Sequence, residues 1–220
     1  MKFRNREEAG KLLAGEIKRN LEKTEDVVIL AIPRGGVPVA YYVSKETGIP
    51  FHMVVTKKIT PPYEPEAAIG AIAPDGTFMI SSYAYLSEKE LEEAKKRALE
   101  GALEKLKKYS RGEEPYVKDK TVIVVDDGIA TGYTAMVAGE YLKKRGAKKV
   151  ILAVPVCPVD SVERVKKVFD QVICYHKDNT PFFAVGMFYE DFHQVTDDEM
   201  FNYIKKAEKE GLLYKKEGRE

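Results

Sequence analysis

Tryptophan is absent from the 220 residues, cysteine occurs only at Cys157 and Cys174, and glutamine only at Gln171 and Gln194. The two cysteines sit in apolar stretches without CxxC or Cys/His spacing, which argues against a disulfide framework or a zinc centre and for a reduced interior. His52, His176 and His193 share no metal-ligand spacing and read as ordinary residues. An excess of one charge is missing too: 36 basic residues face 35 acidic ones, and the basic ones are scattered along helical faces. Such a surface has no net field to draw in a nucleic-acid backbone, so no nucleic-acid partner is expected. No apolar run approaches about 20 residues, and the opening Met1-Lys2-Phe3-Arg4-Asn5-Arg6-Glu7-Glu8 lacks an apolar signal core. The expectation is a cytoplasmic, soluble protein without a membrane partner. Lys and Glu are plentiful, a bias found in proteins from hot environments.

The length suits one large α/β domain with a real core, and neither an internal repeat nor a linker divides residues 1–220. Asn5 and Glu8 form a capping pair for a helix whose stripe is Ala9, Leu12, Leu13, Ile17 and Leu21. Residues 27–32 are a continuous apolar run, as in a parallel strand covered on both faces. They lead through Pro33-Arg34-Gly35-Gly36 into a helix over 37–47 and a strand over 51–56. The alternation then breaks: Pro61, Pro62 and Pro65 mark a loop, and the stretch up to Ser82 reads as a β-hairpin around Asp75-Gly76. Ser87 and Glu90 cap a long helix buried on Leu91, Ala94, Ala98, Ala102, Leu106 and Tyr109, with its Lys and Glu read as a solvated face. A strand over 122–125, a helix over 133–145 and a strand over 150–156 restore the βα rhythm. A short helix capped by Asp160 and Glu163, a strand over 172–175 and a last helix capped by Thr196 and Glu199 complete the chain. The class predicted is α/β, with a parallel sheet flanked by helices.

The most informative stretch is Val122-Ile123-Val124-Val125-Asp126-Asp127-Gly128-Ile129-Ala130-Thr131-Gly132-Tyr133-Thr134. Two adjacent carboxylates at a strand end repel unless hydroxyl donors or a cation such as Mg²⁺, with its waters retained, compensate them. A helix-capping Asp explains one of them but not both. Thr131-Gly132-Tyr133-Thr134 adds consecutive N–H groups at a helix start and two hydroxyls, which suits a terminal phosphate. Ligands of open parallel sheets sit beyond the carboxyl ends of the strands, where strand order reverses. Three polar loops leave such ends: Arg34-Gly35-Gly36, Lys57-Lys58, and residues 126–134. Read alone, Gly35-Gly36 is equally a tight turn that lets a helix pack on a strand.

Four apolar residues, two acids and Thr-Gly-x-Thr resemble the phosphoribosyl-pyrophosphate (PRPP) signature of the type I phosphoribosyltransferases. Ala31-Ile32-Pro33-Arg34-Gly35-Gly36-Val37-Pro38-Val39-Ala40, Pro65-Glu66-Ala67-Ala68-Ile69-Gly70-Ala71-Ile72 and the tail from Val185-Gly186 to Asp198-Glu199 extend the similarity to a subgroup called predicted phosphoribosyltransferases. The resemblance implies a five-stranded parallel core, a flexible loop with a β-hairpin, and a small hood from the N-terminal and 175–200 segments. It also implies a homodimeric, Mg²⁺-dependent transferase that moves phosphoribose from PRPP to a nitrogenous, nucleobase-like acceptor and releases diphosphate. Ala130, Thr131, Gly132, Tyr133 and Thr134 would hold the 5′-phosphate, Tyr133 through its backbone. Asp126 and Asp127 would take the ribose hydroxyls and, through water, the metal. Arg34, Gly35, Gly36, Lys57 and Lys58 would face the diphosphate, with a non-proline cis peptide at the Arg34-Gly35 loop, as family members often have. Residues 59–66 are either a closing loop or an irregular surface segment. Glu66 is either an acid–base group for the acceptor or a solvated carboxylate. Phe182, Phe183, Phe188 and Tyr189 either stack on an acceptor or belong to a core or dimer interface. Ala130 stands where the 6-oxopurine transferases carry an Asp, which argues against hypoxanthine or guanine. The alternatives to a transferase are a PRPP- or nucleotide-binding regulator and a hydrolase.

Overall fold

A computed structural model describes residues 1–81 and 86–215, so Ser82, the end of the expected hairpin, lies outside the described residues. In chain order the first elements are α1 (Arg6–Asn20), β1 (Val27–Ala31), α2 (Gly36–Thr47), β2 (Phe51–Met53), β3 (Lys57–Ile59), β4 (Gly70–Ile72) and β5 (Phe78–Ile80). Then follow α3 (Glu88–Ser110), β6 (Thr121–Val125), α4 (Tyr133–Lys144), β7 (Lys149–Pro158), α5 (Val159–Val165), β8 (Gln171–Asp178), a 3-10 turn (Val185–Phe188) and α6 (Asp197–Lys209).

The apolar runs are strands because both of their faces are covered. Every residue of β1 is buried, as is every residue of β6 after Thr121 and of β7 after Lys149. They are the centre of a five-stranded, all-parallel sheet in the order β2-β1-β6-β7-β8. Pairing puts Leu30 beside Val124 and Val124 beside Leu152, a row that faces α4 and α5. The next row, Ala31, Val125 and Ala153, faces α2 and α6. The two-residue period of the strands therefore separates two cores. From β1 the chain runs outward to β2, and from β6 it runs the other way through β7 to β8. The reversal lies between β1 and β6, whose last residues Ala31 and Val125 pair.

Three details differ from the expectation. The strand expected over 51–56 leaves the main sheet after Met53, and Lys57-Lys58 do not lie in a loop. They open β3, which pairs antiparallel with β4, and β4 with β5, in a separate three-stranded sheet. The expected hairpin therefore gains a third strand. Asp160 does not cap α5: the helix begins two residues past Cys157, with Pro158 at the cap and no side-chain cap bond, and Asp160 falls in its first turn. A carboxylate there still suits the helix dipole. The other expected caps form, with Asn5 accepting from Glu8 N–H, Ser87 and Glu90 closing a full capping box, and Thr196 accepting from Glu199 N–H.

The N-terminal segment is tied to residues 188–191. Phe3 N–H donates to the Phe188 carbonyl and Glu190 N–H to the Phe3 carbonyl, both at 2.7 Å, and Asp191 N–H reaches the Arg4 carbonyl at 2.9 Å. Phe3, Ala9, Val156, Phe188 and Tyr189 bury one another there, and Phe183 stacks on Phe188 with ring centroids 5.1 Å apart. Phe188 and Tyr189 are thus core residues, whereas Phe182 is 86% exposed.

Gly10 sets the crossing of α1 and α2, since a Cβ there would lie 2.8 Å from the Val39 carbonyl oxygen and 3.0 Å from Tyr42 Cβ. Helix propensity alone favours Gly→Ala by about 1 kcal/mol. The expected outcome of Gly10→Ala is the reverse, a loss of roughly 1–3 kcal/mol by overpacking against backbone, measured by denaturant unfolding. A stabilised variant would show that the two helices separate freely.

Candidate functional site

The loops leaving β1 and β6 meet at the reversal of strand order. Asp126 and Asp127 follow β6 directly, and the glycines leaving β1 are what lets them in. A Cβ on Gly36 would lie 2.8 Å from the Val125 carbonyl and 3.2 Å from Asp126 Oδ1, and one on Gly35 would collide with the Asp127 carboxylate. Gly36 N–H returns to the Ile32 carbonyl at 3.0 Å. The N–H groups of Arg34 and Gly35 have no backbone acceptor among the described residues. The peptide bond between Pro33 and Arg34 is cis.

The aspartates are half-buried. Asp126 Oδ1 accepts from Asp127 N–H at 2.8 Å, and Tyr189 OH donates to the Asp127 carbonyl at 2.6 Å. Burial, and then the charge of Asp127, push the Asp126 carboxyl well above the usual range. Burial also raises Asp127, and Arg6 opposes that rise. Nε and Nη2 of Arg6 both lie 3.1 Å from Asp127 Oδ2, Nη1 donates to the His193 carbonyl at 2.7 Å, and the guanidinium lies 4.3 Å from the Phe192 ring centroid. Arg6 was missed in the sequence. Its signal was present: a cation in the first turn of a helix opposes the helix dipole, and a tertiary carboxylate is what compensates it.

The turn that starts α4 is built for N–H groups to face outward. Gly132, at φ +89°, caps the helix, and a Cβ there would lie 2.5 Å from Val165 Cγ1. Ser161 Oγ donates to the Ala130 carbonyl, and Arg164 Nη1 donates to the Thr131 carbonyl at 2.8 Å. In a trans peptide C=O and N–H point in opposite directions. Turning these two carbonyls toward α5 therefore turns the N–H groups of Thr131 and Gly132 away from it. The first helical N–H groups, of Tyr133, Thr134 and Ala135, have no intrahelical acceptor. Thr131 and Ala130 are exposed, and the Tyr133 ring packs against the core.

Cations gather on the opposite side. Lys57 and Lys58 are exposed on β3. Lys105, expected on the solvated face of α3, is instead turned inward, with Nζ donating to the Thr56 carbonyl at 3.2 Å. Burial first, then the neighbouring charges of Lys57 and Arg34, hold it down to about 8. The spacing Ala98, Ala102, Lys105, Tyr109 puts this lysine on the apolar stripe, the sign that it was not a surface residue. Arg34 pairs with Asp197 at 3.4 Å, and Asp197 also takes Lys108 and the Tyr109 hydroxyl at 2.6 Å each. Those hydrogen bonds, from Lys108 first, draw Asp197 down to about 2. Glu66 is not brought into this group: it is exposed in the loop between β3 and β4, without a hydrogen bond or ion pair among the described residues.

A metal would find few protein ligands here, since no group of three or more His, Cys, Asp and Glu assembles among the described residues. Two carboxylates, one of them shared with Arg6, fit a Mg²⁺ that keeps waters and takes ligand oxygens.

Two outcomes test this electrostatic account. Both aspartates have folded pKa values above the ordinary 3.8, so the folded state keeps protons that the unfolded chain has released. The stability this contributes is full below 3.8 and is lost as pH rises through the raised values. Asp126→Asn is therefore expected to raise the melting temperature at pH 7.5, with a gain that shrinks toward pH 4. Equal gains at both pH values would contradict it. Arg6→Met leaves Asp127 uncompensated and should cost about 3 kcal/mol in denaturant unfolding at neutral pH.

Among the described residues no helix is long and apolar enough to cross a membrane. Residues 3–190 match the phosphoribosyl transferase domain family. Relatives from two strains of Mycobacterium tuberculosis, provisionally named phosphoribosyl transferases, are each 35% identical over 215 residues, 94% of this chain. The chain spans about half the length of these curated relatives, 47% of each. The solved Thermus thermophilus protein TT1426 is 32% identical, with a TM-score of 0.75 over 94% of this chain and 99% of that one. A ribose-phosphate pyrophosphokinase of Pyrococcus furiosus is 40% identical over 67 residues, 30% of this chain and 24% of that one. With its five-stranded parallel sheet, flanking helices and this sequence match, the chain belongs to the phosphoribosyl transferase family.

Proposed function

We propose that this domain transfers the 5-phosphoribosyl group of PRPP to a ring nitrogen of a nucleobase-like acceptor and releases diphosphate. The observation that carries the reading is the close fit of Gly35 and Gly36 against Asp127 and Asp126 at the strand-order reversal, with the N–H-rich start of α4 on the same chain segment. PRPP carries anions at both ends and hydroxyls between them, and the site offers donors, carboxylates and donors in that order.

In this reading the outward N–H groups from Ala130 to Thr134 hold the 5′-phosphate, as helix starts hold anions. Asp126 and Asp127 accept from the 2′- and 3′-hydroxyls. The N–H groups of Arg34 and Gly35, with Lys57 and Lys58, receive the diphosphate, and Gly36 contributes by having no side chain. The bond from C1 to the diphosphate oxygen breaks with its electron pair leaving on diphosphate, while a ring nitrogen bonds C1 and gives up its proton, which the departing diphosphate takes up. Positive charge builds on the ribose and negative charge on the leaving group, so carboxylates belong near the sugar and donors near the diphosphate. Mg²⁺ held through water by Asp126 and Asp127 would supply further charge to the leaving oxygens. Glu66, on the loop between β3 and β4, would reach the acceptor only if that loop closes, which would also exclude water. The paired N-terminal and 188–191 segments form the hood over the acceptor, and Phe182 is the aromatic left free to meet it.

The test is incubation with PRPP and Mg²⁺ across purines, pyrimidines and other ring acceptors, with diphosphate measured. The expected outcome is acceptor-dependent release, reduced about 100-fold or more by Asp127→Asn and by roughly tenfold by Thr131→Val. PRPP binding with no release for any acceptor would make it a binding protein, and release without an acceptor a hydrolase. Full turnover in both folded variants would overturn the residue roles alone.

A further inference from the structure

We propose that Lys105 is a third lysine of the diphosphate subsite, reaching the leaving group from α3 beside Lys57 and Lys58. This rests on the reading of the site given above. Lys105 lies on the inward stripe of a helix that is already in contact with β3: a Cβ on Gly101, one turn earlier, would lie 3.2 Å from Lys57 Cε and 3.4 Å from Lys57 Cγ. Its ammonium ends at the Thr56 carbonyl, one residue before Lys57. Lys57, Lys58 and Arg34 add positive charge around it from β3 and the β1 loop, and Asp126 supplies the negative charge. Tyr109, from the next turn of α3, faces it with its ring centroid 5.9 Å from Nζ. Among the described residues no carboxylate forms an ion pair with Lys57, Lys58 or Lys105.

A half-buried lysine held near Lys57, with Lys58 and the Asp197-paired Arg34 adding positive charge, is an unfavourable arrangement by itself. The Thr56 carbonyl satisfies one of its three N–H donors, and a carbonyl carries no charge to offset the cluster. A dianionic or trianionic group bound between these residues would offset it, because each ammonium then gains a charge-assisted hydrogen bond. Thr56 is 3% exposed, so its carbonyl fixes the ammonium at the base of the turn into β3, where Lys57 and Lys58 are exposed. A solvated lysine has no need of such a tether. Lys105 of α3 and Lys57 of β3, with Lys58 and the Arg34 loop adding positive charge, thus mark a place for an anion more highly charged than a single phosphate.

Isothermal titration of the whole protein with inorganic diphosphate and, separately, with ribose 5-phosphate tests the assignment, at fixed Mg²⁺. Lys105→Met keeps the aliphatic stem and removes the charge, and Lys105→Arg keeps the charge. Loss of one charge-assisted hydrogen bond predicts diphosphate affinity roughly 10- to 100-fold weaker in Lys105→Met, with ribose 5-phosphate bound as in the wild type and most of the loss recovered in Lys105→Arg. Because lysine titrates near 8 here and arginine does not, the affinity ratio of wild type to Lys105→Arg should fall from pH 7 to pH 9. Unchanged diphosphate affinity in Lys105→Met would overturn the inference, as would an equal loss for both ligands, which marks a purely structural role. A wild type that binds neither ligand would overturn the reading of the site, and the inference with it.

Discussion

Two adjacent, half-buried carboxylates at the meeting of β1 and β6 impose the requirement to which the surrounding structure answers. Loss of water raises the pKa values of both Asp126 and Asp127, and the charge of Asp127 raises Asp126 further. Backbone must come close enough to enclose them, hence Gly35 and Gly36, where a side chain would strike the carboxylates. A cation must offset part of the charge, hence Arg6, which is 8% exposed and bonded at once to Asp127 and to the His193 carbonyl. That double attachment ties the N-terminal helix, the 188–193 segment and the strand-end acids into one unit. A fold seeking only stability would place apolar residues here, since buried ionic groups seldom repay their desolvation. The arrangement makes sense as a site whose charges are completed by a ligand.

The same logic orders the rest of the site. Donors are pre-aimed at both ends of the acid pair: α5 turns the carbonyls of Ala130 and Thr131 inward through Ser161 and Arg164, and α3 brings Lys105 beside Lys57 and Lys58. Neither helix contributes a motif residue. Each acts by fixing the direction of a peptide or of an ammonium. The salt-bridged Asp197 joins the start of α6 to Arg34 and to the end of α3, linking a helix beyond the family match to the loop after β1.

Much of this was legible along the chain because it is local. Continuous apolar runs named the buried parallel strands, the Asn5, Ser87 and Thr196 caps named three helix starts, and the acid pair followed by Thr-Gly-x-Thr named the family. What failed was also local reasoning applied too far. Lys57-Lys58 looked like a loop after a strand, but three residues of β2 suffice at a sheet edge, and the lysines start a new antiparallel sheet. The Lys and Glu residues of α3 looked uniformly solvated, although the helical period places Lys105 with Ala98, Ala102 and Tyr109. The aromatics from Phe182 to Tyr189 had no clear period, and packing divided them, with Phe188 and Tyr189 buried against Phe3 and Phe182 left outside.

Residue type and spacing within a dozen positions were enough to settle the class of fold, the position of the acids at a strand end and the glycine turn into α4, because those depend on periodicity, capping and the φ freedom of glycine. Which distant charges meet them was decided by folding. Arg6 and Asp127 are 121 residues apart, and Tyr109 and Asp197 are 88 apart. No local pattern encodes such pairs. They arise only when the parallel sheet brings the start of the chain, the α3 helix and the final helix to one edge, where burial strengthens every charge and makes an uncompensated one costly.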